Sequence, residues 1–173
     1  MSIWRQLGPI GVAPGVVVLV VPAVILYLTG TVDFGWGFSP PTSWLPPLLG
    51  CALIGMGLLL MYKTISLFAT VGEGTLAPWD PPRRLVVRGI YRHVRNPMIS
   101  GVLSILLGEA ALFGSTAVLA WFLAFLAFQA VYMPMIEERG LARRFGEDYL
   151  VYKRNVPRWM PRLTPWVPRF DER

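Results

Sequence analysis

The chain has 173 residues, a net charge of +6 and a mean hydropathy of +0.53, with 54% hydrophobic and only 15% charged residues. This apolar composition excludes an ordinary soluble domain and indicates an integral membrane protein, in which excess basic residues are typical of cytoplasmic loops, so no nucleic-acid partner is expected. One cysteine and one histidine exclude an internal disulfide and argue against a metal centre.

A membrane-spanning helix needs roughly 20 mostly apolar residues. Four segments approach this length, running from about Ile10 to Leu28, Trp44 to Phe68, Pro97 to Phe113 and Thr116 to Met135. Pro14 and Pro22 are compatible with the first span if neighbouring helices satisfy the backbone groups that they free. We therefore predict an all-α integral membrane helical bundle with about four transmembrane helices, five being the alternative, and a tight hairpin at Gly114-Ser115.

The basic residues are distributed unevenly along the chain. Five of the 16 lie between the second and third spans and nine follow the fourth, whereas residues 29–43 and the turn at Gly114 contain none. The positive-inside rule then predicts that both termini and the 72–96 segment face the cytoplasm. The expected location is a bacterial-type inner or plasma membrane, with membrane lipids as partners.

The 72–96 segment is too rich in glycine, proline and charge to span, and Leu85 to Val87 is its one short extended piece. Asn96 and Pro97 predict a helix start, because Asn is a common N-cap and Pro favours the first turn. Main-chain N–H groups at such a start, beside Arg95, can hold a carboxylate or phosphate. Attraction of the basic residues to anionic lipid is the simpler explanation of the same segment.

The residues after the fourth span predict an amphipathic cytoplasmic helix, interrupted at Gly140 and Gly146. At 100° per residue, one face collects Glu138, Leu141, Phe145, Tyr149 and Tyr152. A carboxylate on such a face at a membrane boundary needs a partner, for which Arg95 or a ligand is a candidate. An interfacial helix that only anchors the tail is the alternative.

Two linked motifs bracket the predicted hairpin: LVVRGIYRHVRNPMISG at 85–101 and EERGLARRFGEDYLVYKRNVPRWMP at 137–161. The first is similar to a Gly-x-Tyr followed by Arg-His-Pro-x-Tyr, and the second to Glu-Glu-x-x-Leu-x-x-x-Phe-Gly-x-x-Tyr-x-x-Tyr. Both motifs resemble those of the isoprenylcysteine carboxyl methyltransferase and phospholipid methyltransferase superfamily. The resemblance implies an S-adenosylmethionine-dependent membrane methyltransferase. It further implies one membrane domain, 1–173, with a two-span region at 1–71, a cofactor-binding core at 72–161 and a tail at 162–173.

The resemblance also implies a site at the cytoplasmic ends of the third and fourth spans. The implied cofactor contacts are Arg83, Arg84, Leu85, Val86, Tyr91, Asn96, Pro97, Met98, Ile99 and Glu137. The candidate catalytic residues are Glu138 and Arg95, with Glu138 as the base that would take a proton from an amine acceptor.

The sequence departs from the superfamily pattern at three positions. Asn96 stands where the family usually has His, Ile99 where it has Tyr, and Met133 where the prenylcysteine enzymes have Arg. Met133 favours a lipid or a small hydrophobic acceptor from the bilayer over a prenylcysteine carboxylate. Two alternatives stay open: an NADPH-dependent membrane reductase of the sterol-reductase type, which shares an Arg-x-Pro-like element, and a non-catalytic membrane sensor or scaffold.

Overall fold

The computed structural model describes residues 14–71 and 85–167. In these ranges the chain is all-helical, as predicted, and Leu85 to Val87 forms no strand. The helices are α1 (Val16–Thr29), α2 (Leu45–Val71), α3 (Pro97–Phe113), α4 (Thr116–Tyr132) and α5 (Glu138–Asn155). Single 3₁₀ turns at Thr42–Trp44 and Gly89–Arg92 precede α2 and α3, and a π-turn at Met133–Glu137 joins α4 to α5.

Two helical segments, Thr42–Leu67 and Thr116–Asn155, are long and apolar enough to cross a membrane. Only 11% and 17% of their most apolar windows are buried inside the protein, so their apolar surfaces face outward, unlike those of core helices in soluble proteins. α3 has the predicted bounds, and its 17 residues rise about 25 Å. All four predicted spans are helical where they are described; that all four cross a bilayer stays a prediction.

α2 and α3 pack against each other at very short range through glycines. A Cβ atom on Gly57 would lie 2.6 Å from the carbonyl oxygen of Gly101, and one on Gly108 would lie 2.7 Å from the carbonyl oxygen of Gly50. Between these pairs, Ser104 Oγ donates to a main-chain carbonyl of α2 at 2.7 Å. Small residues allow backbones to approach closely, which is how helices associate in lipid, so α2 holds α3 along most of its length.

Pro22 of the first span is accommodated as predicted, and the accommodation of Pro14 stays a prediction. α1 begins with a π-turn at Val16–Val20. In a π-turn each carbonyl accepts a hydrogen bond from the main-chain N–H five residues later, so the Val17 carbonyl would accept from residue 22. That residue is Pro22, which has no N–H, and the indole Nε1 of Trp121 in α4 donates to the Val17 carbonyl instead, at 3.2 Å. α1 thereby docks on the hairpin, and its Val18 side chain enters the main core with Val102, Ile105 and Leu106.

The loop between α1 and α2 meets the turn between α3 and α4. Asp33 N–H donates to the Phe113 carbonyl at 2.9 Å, and Trp36 Nε1 donates to the Ala111 carbonyl at 3.0 Å. Gly114 has φ 59°, and a Cβ there would overlap the Asp33 carbonyl, so this turn requires glycine. We call this the loop end of the bundle. The arginine-bearing segments 85–96 and 138–167 lie together at the opposite end, which we call the charged end.

α4 and α5 form one continuous helical segment. The π-turn Met133–Glu137 accommodates Pro134, which cannot donate a main-chain hydrogen bond. The helix bends once, at Gly146, where φ 58° and ψ −134° are accessible almost only to glycine. The predicted interruption at Gly140 is wrong, since this residue lies in regular helix.

Candidate functional site

The start of α3 lies at the centre of the charged end. Asn96 is the N-cap residue and Pro97 the first helical residue, as predicted, but the Asn96 side chain does not cap the helix. Its Nδ2 donates to Met133 Sδ on the π-turn instead. The first main-chain bond of α3 runs from Ser100 N to the Asn96 carbonyl, so the N–H groups of Met98 and Ile99 have no helical acceptor.

Glu138 is the anion of a buried ion-pair cluster. Its side chain is 4% exposed, and its Oε1 lies 2.8 Å from Arg95 Nη1 and 2.7 Å from Arg158 Nε. Lys153 Nζ lies 2.8 Å from the other oxygen, Oε2. The predicted pairing of Glu138 with Arg95 is therefore confirmed. The cluster ties together the segment before α3, both ends of α5 and the chain that follows α5.

This geometry argues against Glu138 as a general base. Burial alone would raise the pKa of its carboxyl, but hydrogen bonds from Arg158 and Lys153, together with the charge of Arg95, hold that pKa at about 2. A carboxylate with so low a pKa, and with both oxygens occupied by cations, is a poor proton acceptor. The Arg95–Glu138 ion pair holds the segment before α3 against the start of α5, and a catalytic role for either residue stays a prediction.

Glu137 differs from its neighbour in accessibility. Its side chain keeps exposed surface, and no ion pair binds it in the part of the chain that the structure describes. Desolvation by surrounding protein atoms and the adjacent Glu138 charge both raise the pKa of its carboxyl. Burial raises the pKa of Tyr91 and of Tyr149, and the charge of Glu137 raises both further. Of the two acidic residues, Glu137 is the one that a ligand can reach.

The chain after α5 docks along the segment before α3. Main-chain bonds run from Arg95 N to the Pro157 carbonyl (2.8 Å), from Asn96 N to the Arg158 carbonyl (3.1 Å) and from Arg162 N to the His93 carbonyl (3.0 Å). Three further bonds join the same two segments: Arg95 Nε to the Val156 carbonyl, His93 Nδ1 to the Arg162 carbonyl and Arg92 Nε to the Trp166 carbonyl. Residues 156–166, which we call the strap, therefore cover the approach to α3.

An aromatic cluster packs against the strap. Tyr149 and Tyr152 are buried with Val87 and Val156, and Leu85 and Trp166 pack against them. Tyr152 Oη donates to the Tyr91 carbonyl at 2.8 Å. Burial raises the pKa of Tyr149 to about 12 and moves the pKa of Tyr91 and Tyr152 upward as well, so all three phenols are neutral at physiological pH.

The structure brings most of the predicted site residues to this end. Leu85, Val86 and Tyr91 are half-buried beside the aromatic cluster, while Asn96, Pro97, Met98 and Ile99 form the start of α3 and Glu137 ends the π-turn. Arg83 and Arg84 lie outside the described residues. Their proposed cofactor contacts stay predictions.

Four residues at this end were not anticipated. Arg158 and Lys153 join the Glu138 cluster, and their only sequence signal was membership of a basic tail. Trp159 Nε1 and Gln129 Oε1 are buried and make no hydrogen bond within the described chain. The repeated Trp and Pro residues of the strap could have indicated that this segment docks on the protein. Gln129, a single Gln in an apolar helix, indicated only a contact between helices.

Comparison with known proteins identifies the family of the chain. A family model described as phospholipid methyltransferase matches residues 46–148, which include α2, α3, α4 and the first half of α5. No curated protein and no solved structure matches the chain. Since the match covers more than half of the chain, the protein belongs to the phospholipid methyltransferase family, within the superfamily of membrane methyltransferases that also contains the isoprenylcysteine carboxyl methyltransferases.

Proposed function

We propose that the protein transfers a methyl group from S-adenosylmethionine to a lipophilic acceptor that reaches the site from the bilayer. Membership of a methyltransferase family supports the reaction class. The single observation that carries the proposal is the convergence, at the charged end, of the α3 start, the accessible Glu137 carboxylate and the strap.

The groups at this end fit the parts of S-adenosylmethionine. Within the described residues, the N–H groups of Met98 and Ile99 have no helical acceptor and the indole N–H of Trp159 makes no hydrogen bond. These donors suit a carboxylate or ring nitrogens. Glu137 supplies an accessible carboxylate suited to ribose hydroxyls or to a cationic centre. Tyr91, whose carbonyl accepts a hydrogen bond from Tyr152 Oη, supplies an aromatic ring at the same end.

When bound, the cofactor supplies an electrophilic methyl group on a sulfonium. The protein's contribution is then mainly to position the two reactants and to exclude water. The Arg95–Glu138 pair orients the start of α3, and the strap, tied to residues 92–96 by main-chain hydrogen bonds, closes the site from the aqueous side. A nearby carboxylate that can take a proton is Glu137, whose pKa is raised, rather than Glu138.

The same proposal puts the charged end on the cytoplasmic side of the membrane. The loop end carries no Lys or Arg in residues 29–43 or at Gly114, and the charged end carries most of the basic residues. A water-soluble cofactor would then enter from the cytosol, and the acceptor would enter laterally between helices.

Calorimetric titration of the detergent-purified protein with S-adenosylmethionine and S-adenosylhomocysteine tests this function. We expect saturable binding that Glu137→Gln weakens about tenfold, the effect of losing one charge-assisted hydrogen bond. Glu147→Gln is the matched control, because Glu147 lies on the same helical segment with its side chain 69% exposed. Absence of binding to the wild type overturns the proposal, and saturable binding of NADPH in its place would favour the reductase.

A further inference from the structure

The outward face of the helical segment that contains α4 and α5 changes from apolar to basic over about two turns. Val131, Met135 and Ile136 are each more than half exposed. Arg139 and Arg143 follow them, and both arginines are exposed as well. The segment is long and apolar enough to cross a membrane. Because exposed apolar side chains favour hydrocarbon and arginines favour the headgroup region, the two arginines lie where this segment leaves the bilayer at the charged end.

Arg139 and Arg143 can act on the same anion. Side chains four residues apart are neighbours on the surface of a helix. Gly140 lies beside them without a side chain, and no other atom lies within 4 Å of its Cβ position, so the approach to this surface is open. A guanidinium group presents two parallel N–H donors that match the oxygens of a phosphate.

The acidic residues of the described chain leave both arginines without an ion pair. Glu138 is buried in its own cluster, and Glu147 pairs with a different cation at 3.6 Å. Glu137 precedes Arg139 by two residues, and side chains at that spacing do not face each other. Neither Arg139 nor Arg143 forms an ion pair or a hydrogen bond within residues 14–71 and 85–167. Their charges are therefore available to an anion from outside the chain.

We propose that Arg139 and Arg143 bind the phosphate of an anionic phospholipid in the leaflet at the charged end, and that the acyl chains of this lipid lie along Val131, Met135 and Ile136. Charge complementarity favours this occupant, since a zwitterionic lipid carries an ammonium group that offsets its phosphate. The adjoining apolar surface favours a lipid over a soluble phosphate. The inference goes beyond the proposed function and does not depend on it, because the lipid is a bound partner and not the methyl acceptor.

The test compares dioleoylphosphatidylglycerol, dioleoylphosphatidylcholine and inorganic phosphate. Binding to the detergent-purified protein is measured through the concentration dependence of the thermal unfolding midpoint. One arginine near an anionic surface strengthens binding about fivefold, so we expect the wild type to prefer phosphatidylglycerol about 25-fold over phosphatidylcholine. Arg143→Gln should lower this preference about fivefold. Arg154→Gln is the matched control, because it removes one positive charge from an exposed side chain of the same helix and should change the preference less than about twofold.

Equal binding of the two lipids to the wild type overturns the inference. An equal loss of preference in Arg143→Gln and Arg154→Gln also overturns it, because net charge and not the position of the arginines would then determine binding. Stabilisation by inorganic phosphate equal to that by phosphatidylglycerol would overturn the assignment of a lipid. The wild-type comparison stands even if a variant does not fold. Binding of S-adenosylhomocysteine is measured separately, and its absence refutes the proposed function without affecting the lipid comparison.

Discussion

Substitution of Gly57 by alanine should separate α2 from α3. The added Cβ would lie 2.6 Å from the Gly101 carbonyl oxygen, 2.6 Å from Ile105 Cγ1 and 3.1 Å from Ile105 N. Two of these three contacts are main-chain atoms of a helix, which cannot turn away as a flexible side chain can. The helices must therefore move apart to accommodate one methyl group.

The size of the effect follows from these distances. Ordinary contact begins at 3.4 Å, so the Gly57 methyl is about 0.8 Å too close, and a shift of that size loosens the packing between Gly57 and Gly101. Overpacking of this kind costs about 1–3 kcal/mol. For a chain of this length that cost corresponds to a fall of roughly 2–12 °C in the unfolding midpoint.

Gly55→Ala is the matched control, because Gly55 lies on the same helix with open space around its Cβ position. Alanine is the better helix former, so this variant should unfold at or slightly above the wild-type temperature. The assay is the thermal unfolding midpoint of each variant in one detergent. Equal midpoints for Gly57→Ala and Gly55→Ala would refute the close approach of α2 and α3.

Three further predictions concern the charged end. Because the pKa of Glu138 is about 2 against an ordinary 4.5, the stabilisation by its ion pairs is complete above pH 4.5 and is lost as the pH falls towards 2. Glu138→Gln should therefore lower the free energy of unfolding at pH 7 by about 3 kcal/mol and remove this acid-dependent loss. If the unfolding midpoints of wild type and variant change in parallel from pH 7 to 2, the ion-pair cluster is contradicted. Gly146→Ala should destabilise the protein by about 1–2 kcal/mol through backbone strain, whereas Gly140→Ala, in regular helix, should not. Equal urea unfolding midpoints for these two variants would argue against the bend at Gly146. Trp166→Ala should free the strap and increase its proteolysis, whereas Leu163→Ala, with Leu163 98% exposed, should match the wild type; equal cleavage rates would show that Trp166 does not hold the strap.

The local signals in the sequence predicted most of the helices. The α3 bounds are those expected from Asn96-Pro97 and Gly114-Ser115, because an N-cap with proline and a glycine in the left-handed region are chemical requirements of a helix start and end. Gly140 was predicted to interrupt the helix and does not, since an isolated glycine only weakens a helix that neighbouring contacts can maintain.

The sequence predicted which residues form the site but not how Glu137 and Glu138 differ in it. The motifs identified both acidic residues, and helical periodicity assigned Glu138 to the inner face. Neither could show that Arg158 and Lys153 approach Glu138 as closely as Arg95 does, because the strap returns to the α3 start through contacts distant in sequence. Those cations lower the pKa of Glu138, which argues against the predicted role of Glu138 as the base.

The sequence by itself determined the class of protein, its helical segments and its family, because composition, 3.6-residue periodicity and motif spacing are properties of neighbouring residues. Only the tertiary structure decided which glycines lie between α2 and α3, where the strap docks and which polar atoms make no hydrogen bond within residues 14–71 and 85–167. These features depend on pairs of residues far apart in the chain. The burial and the pKa of a side chain depend on such pairs, and the local sequence does not indicate which distant residues will pair.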